Sequence, residues 1–242
     1  DVRVPMTKGQ LEAYDTMINA APPWVKYKIE SRLPPSKQES KQLNAFLSAT
    51  RQISNTTAPF DTREQPQHQD PKIEAAFSRL KQELDSNPRS KAVVYSNYLD
   101  AGINPYKQRL DTAKIPYGEF TGQMTKRQRD QLVQDYNENK LRALLLSSAG
   151  GEGLDLKGTR LMQILEPHWN SEKLKQVEGR GIRYRSHADL PPEQRNVRVQ
   201  QFLATRPATG LLERMHLRKP RGSVDEYLTQ LRSEEHTSEL QS

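Results

Sequence analysis

The sequence of 242 residues contains no cysteine and no uninterrupted apolar run long enough to cross a bilayer. The missing cysteines exclude disulfide bonds and thiolate metal sites, and they are typical of proteins from a reducing compartment. An initiator methionine and a signal-peptide-like apolar stretch are also missing, because the chain begins D-V-R-V-P. We therefore expect a fragment of a longer chain with no membrane partner, cytoplasmic in a prokaryotic or viral source and nuclear in a eukaryotic one.

Positive charge exceeds negative charge, with a formal net charge of +7 at pH 7. The last eleven residues, 232–242 (R-S-E-E-H-T-S-E-L-Q-S), resemble the read-through translation of a sequencing-library adapter, so we expect an artefactual tail. Without this tail, 36 basic and 27 acidic residues remain, and the net charge rises to +9. Such a balance favours an anionic partner such as nucleic acid, because Lys and Arg near phosphates release counterions.

The pattern of apolar residues divides the chain into three regions. Residues 1–70 predict helices joined at proline pairs, followed by a polar linker, and residues 71–231 predict one α/β lobe. Asp70 is the expected N-cap of a helix that starts at Pro71, and Ser223–Glu226 (S-V-D-E) predicts a capping box at the start of a further helix. The other predicted helices are Thr7–Asn19, Ser36–Ile53, Ala101–Ala113, Thr125–Asn139 and Ser171–Ile182.

Short apolar runs alternate with these helices in the second region. The predicted strands are Lys91–Ser96, Pro116–Phe120, Leu141–Ser147, Arg160–Leu165 and Asn196–Ala204. Apolar strands separated by helices favour a parallel sheet with helices on both faces. Ligands of such folds bind at the carboxyl ends of the strands, so the loops after the first four strands should share one edge.

The segment Gln176–Arg183 (Q-V-E-G-R-G-I-R) carries the strongest functional pattern. On a helix, Gln176, Arg180 and Arg183 share one face, and two guanidinium groups one turn apart repel each other unless an anion lies between them. A nucleotide triphosphate is a suitable anion, because Arg offers fixed bidentate geometry to phosphate. The alternative is a solvated basic face.

Two further motifs follow predicted strands. The glycines of S-S-A-G-G-E-G-L-D-L (147–156), among them Gly151 and Gly153, allow a close approach of the backbone to a ligand. Ser148 could donate to a phosphate oxygen, and Asp155 could accept from a ribose hydroxyl or hold an Arg in place. Thr121 and Gly122 precede a basic helix start, which suits a backbone phosphate. An ordinary strand-to-helix connection remains the alternative for the glycine-rich segment.

The order of these motifs resembles the second RecA-like lobe, the helicase C-terminal domain, of superfamily-two helicases. The resemblance covers about residues 10–231 and includes V-V-Y-S-N-Y-L, F-T-G-Q-M and the two segments above. P-H-W-N at Pro167–Asn170 and R-Q-I-S-N-T at Arg51–Thr56 resemble the Swi/Snf branch, and 185–199 resembles ATPases of large DNA viruses and phages.

The resemblance implies roles for individual residues. Arg183 would be the arginine finger, Arg180 a second γ-phosphate contact and Gln176 an orienting residue. The nucleotide-side residues would be Gly151, Gly153 and Asp155. The residues along the nucleic-acid backbone would be Ser96, Thr121, Gly122 and Ser148.

The sequence contains neither G-x-x-x-x-G-K-S/T nor a D-E-x-H-like acidic box. In the family both belong to the first lobe, which would hold ATP and its Mg²⁺. We therefore expect the C-terminal motor lobe of a DNA helicase or translocase, with the first lobe and double-stranded DNA as partners and little activity alone. An RNA helicase lobe, a restriction-system motor lobe and a non-catalytic nucleic-acid-binding domain are the alternatives.

Overall fold

A computed structural model describes residues 1–61, 69–147, 154–167 and 197–231. Within these ranges, six parallel strands form one sheet in the order β1-β6-β5-β2-β4-β3. The strands are β1 (Val2–Pro5), β2 (Lys91–Tyr95), β3 (Tyr117–Phe120), β4 (Ala143–Leu146), β5 (Thr159–Ile164) and β6 (Arg198–Thr205). This sheet confirms the predicted RecA-like α/β class, and the five predicted strands all exist with ends shifted by at most two residues.

Helices precede, connect and follow these strands. They are α1 (Lys8–Ala20), α2 (Pro23–Ser31), α3 (Lys37–Asn55), α4 (Pro71–Ser86), α5 (Asn104–Thr112), α6 (Lys126–Asn137), α7 (Leu211–Arg214) and α8 (224–231). A 3-10 turn spans Ala58–Phe60, and a π-helical turn, Leu99–Ile103, leads into α5. The predicted helix 171–182 and the predicted tail 232–242 lie outside the described residues.

The central strands are buried on both faces, which explains their continuous apolar sequence. All five residues of β2 and all four of β4 are buried. Ala92 and Val94 face a core formed with α4 and α5, whereas Val93 and Tyr95 face a core formed with α6 and residues 154–156. The period of two in a strand therefore divides one apolar run between two cores.

The first three helices form a third core at the β6 side of the sheet. Tyr14 of α1, Ile29 of α2 and Leu47 of α3 are fully buried there, together with Ala204 of β6 and Tyr227 of α8. The predicted capping box is confirmed, because Glu226 N donates to Ser223 Oγ and Ser223 N donates to Glu226 Oε1, each at 3.3 Å. The beginning and the end of the described chain therefore pack against each other.

Two elements in the first region were missed. The prediction of helices alone before the polar linker was wrong for Val2–Pro5, which pairs in parallel with β6 through Val2↔Phe202 to Pro5↔Thr205. Four residues give too little periodicity to indicate a strand, and the partner lies about 200 positions away. Helix α2 is absent from the predicted helices, because the pair Pro22-Pro23 predicts a joint, whereas Pro23 in fact occupies the first turn of a helix.

The predicted capping role of Asp70 is only half correct. Asp70 is the residue before α4 and Pro71 lies in the first turn, but the Asp70 carboxylate makes no capping hydrogen bond. It instead accepts from Arg109 Nη2 at 2.7 Å, while Arg109 Nε donates to Glu74 at 2.9 Å. A guanidinium in reach competes successfully with the backbone amides for this carboxylate.

Candidate functional site

Four strands end in register at one edge of the sheet. Tyr95 lies opposite Leu146 and Ile164, and Leu146 lies opposite Phe120. The residues that follow these strand ends are Ser96, Thr121, Ser147 and Leu165, and we call this row the carboxyl edge. Its continuity is maintained by hydrogen bonds from Ser96 N to Leu146 O and from Leu165 N to Tyr95 O, both at 3.0 Å. The expectation that these loops share one edge is confirmed.

A buried carboxylate, whose role the sequence did not predict, organises this edge. Glu166, directly after Leu165, is fully buried. Its Oε2 accepts from Ser96 Oγ at 2.7 Å and from Asn55 Nδ2 at 3.0 Å, while Oε1 accepts from Asn97 N at 2.6 Å. Because three donors converge on one carboxylate, the end of α3 and the loop after β2 are held against the end of β5.

Asn55 continues the contact toward a buried ion pair. Lys72 Nζ donates to Asn55 Oδ1 at 2.8 Å, to Leu165 O at 2.9 Å and to Asp225 Oδ2 at 2.5 Å. Both charged side chains are fully buried, and Asp225 Oδ2 also accepts from Ala204 N at 2.7 Å. We refer to Asn55, Lys72, Ser96, Glu166 and Asp225 as the buried polar network. It joins α3, α4, α8 and the ends of β2, β5 and β6.

The buried polar network takes up the hydroxyl of Ser96, a predicted nucleic-acid contact. Ser96 is fully buried. Its Oγ donates to Glu166 Oε2 and accepts a hydrogen bond from Tyr98 N at 3.2 Å. In the structure the Ser96 side chain therefore shapes the loop after β2. Its contact with a nucleic-acid backbone stays a prediction.

Gly102 in the π-helical turn leaves the space that the Ser96 hydroxyl occupies. A Cβ at position 102 would lie 2.0 Å from Ser96 Oγ and 2.8 Å from Ser96 Cβ. Such distances are far inside van der Waals contact, so either the turn or the serine must move. Gly102 thus keeps the turn close to the carboxyl edge.

Replacement of Gly102 by Ala should therefore lower the free energy of unfolding by about 1–3 kcal/mol, the usual cost of overpacking. Urea unfolding followed by circular dichroism measures this change. Gly9→Ala is the matched control, because its Cβ would meet Gln69 Cδ at an ordinary 3.5 Å and should leave stability equal or slightly higher. Equal stability of Gly102→Ala and the unmodified chain would contradict the steric argument.

Thr121 and Gly122 lie where the sequence predicted a phosphate contact. Thr121 is half-buried and Gly122 exposed in the turn between β3 and α6. Thr125 caps α6 by accepting from Gln128 N at 3.2 Å, and Lys126 and Arg127 are exposed in the first turn. Helix dipole and basic side chains make this end of the carboxyl edge positive. The phosphate contact itself stays a prediction.

Asp155 does not join this row. Its main-chain carbonyl accepts from Asn137 Nδ2 at 2.9 Å, and Asn137 is the last residue of α6. Helix α6 leads away from the carboxyl edge, so Asp155 lies near its far end. Asp155 is exposed in a groove that is lined by α6 and by residues 154, 155 and 157. The proposed nucleotide-side role of Asp155 stays a prediction, and Asp155 lies apart from the buried Ser96 and the half-buried Thr121 of the carboxyl edge.

The remaining predicted site residues lie outside the described residues. They are Ser148, Gly151, Gly153, Gln176, Arg180 and Arg183. The arginine-finger segment and the glycine-rich turn are therefore known from the sequence only.

An arginine from α3 also reaches the carboxyl edge. Arg51 Nη2 donates to Pro167 O at 3.1 Å, and its guanidinium carbon lies 5.6 Å from the centre of the Tyr98 ring. Burial raises the pKa of Tyr98, and the Arg51 guanidinium opposes this rise. The aromatic ring and the cation together hold residue 98 next to the buried Glu166.

In the part of the chain that the structure describes, no helix has the length and apolarity of a membrane span.

The comparisons with known proteins agree with this geometry. Residues 75–185 match the family model of the helicase conserved C-terminal domain. A protein of Acanthamoeba polyphaga mimivirus, named as an ATP-dependent RNA helicase, is 38% identical over 192 residues. The match covers 79% of this chain and 38% of that protein, so this chain spans less than half the length of that relative.

Solved structures share the fold over most of the chain. The crystal structure of the C-terminal part of the Fun30 ATPase domain matches with a TM-score of 0.62 and 15% identity, covering 99% of this chain and 97% of that one. The Sulfolobus solfataricus SWI2/SNF2 ATPase core in complex with dsDNA matches with a TM-score of 0.59 and 16% identity, covering 84% and 40%. At such identities the likeness establishes the fold alone.

Proposed function

We propose that this chain is the C-terminal motor lobe of a nucleic-acid-dependent ATPase acting on DNA, because residues 75–185 match the family model of the helicase conserved C-terminal domain. The full-length protein would be a helicase or translocase that binds ATP between this lobe and a first RecA-like lobe. That first lobe would supply the P-loop and the acidic box that holds most of the Mg²⁺ ligands. Neither the P-loop motif nor the acidic box is present in the 242 residues. The chain alone would hydrolyse ATP negligibly.

The observation that carries this proposal is the carboxyl edge with its positive end. Ser96, Ser147 and Thr121 follow three adjacent strands, β2, β4 and β3, whose ends are in register. Strand spacing places neighbouring positions about 5 Å apart, so the row spans roughly 10 Å. Ser96 is buried, and its hydroxyl and amide are bonded to Glu166 and Leu146, so the accessible part of this row is its Thr121 end. There the half-buried Thr121, the exposed Gly122 and the N-terminus of α6 suit a backbone phosphate of one strand.

The preference for DNA rests on the two segments that resemble the Swi/Snf branch. They are distant in sequence but contact each other through Arg51 Nη2 to Pro167 O, and Asn55 Nδ2 donates to Glu166 Oε2 directly before the second segment. This contact supports a common structural purpose for R-Q-I-S-N-T and P-H-W-N. The mimivirus relative carries the name of an RNA helicase, so an RNA-directed motor is the second candidate.

In the nucleotide cleft, Arg183 would act as arginine finger, Arg180 as second γ-phosphate contact and Gln176 as orienting residue. Two guanidinium groups one helical turn apart are stabilised by an anion between them, and the γ-phosphate becomes more charged in the transition state. Gly151 and Gly153 would allow the backbone to approach the nucleotide, with Asp155 nearby, and Ser148 would extend the strand contact.

Replacement of Thr121 by Val tests the strand contact. The substitution keeps the shape and removes a hydroxyl, so we expect the dissociation constant of a labelled DNA duplex to rise roughly fivefold, the value of one hydrogen bond of about 1 kcal/mol. The slope of log affinity against log salt should not change, because no charge is removed. Fluorescence anisotropy titrations at several salt concentrations measure both quantities.

Lys126→Gln is the matched comparison at the same end of the carboxyl edge. Loss of one phosphate-neutralising charge should reduce the salt slope by about 1. Arg89→Ala, an exposed residue before β2 at the opposite edge, should change neither quantity. If both Thr121→Val and Lys126→Gln bind the duplex with the affinity and the salt slope of the unmodified chain, this edge is not the interface. Tighter binding of RNA than of DNA would favour the second candidate.

A further inference from the structure

The segment between β6 and α8 exposes an unusual amount of apolar surface. Seven large apolar side chains are exposed in the described residues, and four of them lie within seven positions of this segment. They are Leu211 (73% exposed), Leu212 (51%), Met215 (57%) and Leu217 (70%). We call residues 211–217 the apolar tip. Single exposed leucines are ordinary on protein surfaces, but such a cluster is not.

The base of the segment is fixed to α2. Arg206, which is almost completely buried, donates from Nη2 to Glu30 Oε1 at 3.0 Å, and Arg221 Nη1 lies 3.3 Å from both oxygens of the same carboxylate. Arg32 Nη2 donates to Pro220 O at 2.9 Å. The two ends of the segment are therefore clamped on one side of the molecule, and the tip projects from them.

The tip itself has a defined backbone. Glu213 Oε2 accepts from Thr209 N and Gly210 N, both at 3.1 Å, and so caps the N-terminus of α7. At the other end, Leu217 N and Arg218 N donate to Leu212 O at 2.8 and 3.2 Å, with His216 at φ 61°. These bonds satisfy the terminal amides and carbonyls of the single helical turn. The apolar side chains are thus presented by an ordered turn, which lowers the entropy lost on binding.

The charges around the tip are basic. Arg214, Arg218, Lys219 and Arg221 are all exposed. The acidic residue within the tip is Glu213, whose carboxylate already serves the cap. A partner must therefore match apolar side chains and several cations at the same time.

We propose that the apolar tip docks an acidic amphipathic helix of another protein. Leucine and methionine side chains gain stability when another apolar surface covers them, and a phosphate backbone offers no such surface. A second copy of the same tip would bring cation against cation. A single turn is also too short for the interfacial helix that a membrane surface requires. This docking role is independent of the proposed motor function.

A peptide-display selection tests the proposal. A library of random peptides is selected on the complete 242-residue chain, with removal of peptides that also bind the variant Leu211→Ser/Leu217→Ser. We expect enriched peptides with Leu, Phe or Trp at helical spacing and Asp or Glu between them. All substituted side chains are exposed, so the variants should fold as the parent does, which circular dichroism verifies.

The affinity of a synthesised enriched peptide for further variants then separates the contribution of the apolar side chains from that of the basic ones. Leu211→Ser/Leu217→Ser should weaken it about tenfold or more, and Arg214→Gln/Arg218→Gln should weaken it several-fold and reduce its salt dependence. Tyr27→Ser removes another exposed apolar side chain, 62% exposed on α2, and should leave the affinity unchanged.

Other outcomes would overturn the proposal. These are failure to enrich any peptide that distinguishes the unmodified chain from the serine variant, and enrichment of peptides without acidic residues. Concentration-dependent dimerisation abolished by Leu211→Ser/Leu217→Ser would assign the tip to self-association. A selective loss of duplex DNA binding, or of binding to phosphatidylserine vesicles, in that variant would assign it to nucleic acid or membrane.

Discussion

Arg183→Ala in the full-length protein is expected to reduce nucleic-acid-stimulated ATP hydrolysis by about a thousandfold or more. A guanidinium that contacts the γ-phosphate stabilises the charge that develops there in the transition state, and loss of an arginine finger typically has an effect of this size. Nucleic-acid binding without nucleotide should stay within about threefold, because the finger acts on phosphate of ATP and not on the strand. Steady-state hydrolysis and anisotropy binding measure the two effects.

Two further variants make this experiment specific. Arg183→Lys retains the charge but loses the bidentate fork, so it should recover only part of the rate. Arg89→Ala removes an exposed arginine at the opposite edge of the sheet and should leave the rate unchanged. Normal turnover by Arg183→Ala would exclude the finger role. Because Arg183 lies outside the described residues, the prediction rests on Q-V-E-G-R-G-I-R and its family resemblance.

Lys72→Met is expected to lower the free energy of unfolding by about 3–5 kcal/mol, the usual cost of removing one partner of a buried ion pair. Lys72 Nζ donates to Asp225 Oδ2, Asn55 Oδ1 and Leu165 O, and the lysine and the aspartate are fully buried. Without the ammonium, the amide of Ala204 is the one donor to the Asp225 carboxylate that remains among the described residues, and the countercharge is lost. Guanidinium chloride unfolding measures the loss.

Lys81→Met is the matched control for this experiment. Lys81 lies on the same helix and also pairs with an aspartate, Asp85, at 2.6 Å, but both side chains are about half exposed or more. Surface pairs of this kind contribute at most about 1 kcal/mol, so stability should change little. If both variants lose the same stability, burial is not the reason for the importance of Lys72.

The buried polar network also marks where interpretation of the sequence was incomplete. Glu166 follows an apolar strand and precedes a proline, which is ordinary for a surface loop, yet it is buried under three donors. The sequence does carry a signal, since Asn55 lies in R-Q-I-S-N-T and Glu166 lies directly before P-H-W-N. Their contact could not be inferred, because it joins residues 111 positions apart.

Ser96 illustrates the same difficulty for function. The sequence places a small polar residue after an apolar strand, which predicts an available hydroxyl. In the structure this hydroxyl lies between Glu166 and the turn containing Gly102, so it is used within the protein. Thr121, at the equivalent position after β3, is half-buried and next to an exposed glycine. The difference depends on Glu166, which accepts from Ser96 although it lies 70 positions further along the chain.

The sequence by itself determined the class of the fold, the alternation of strands and helices and the common edge of four loops. These depend on local apolar periodicity and on the rule that parallel strands end at one side of a sheet. Only the tertiary structure decided that Val2–Pro5 joins β6, that Lys72 pairs with Asp225 and that Leu211 and Leu217 stay exposed. Pairing and burial of these residues depend on segments far apart in the chain, and a local pattern carries no information about which distant segment will cover it.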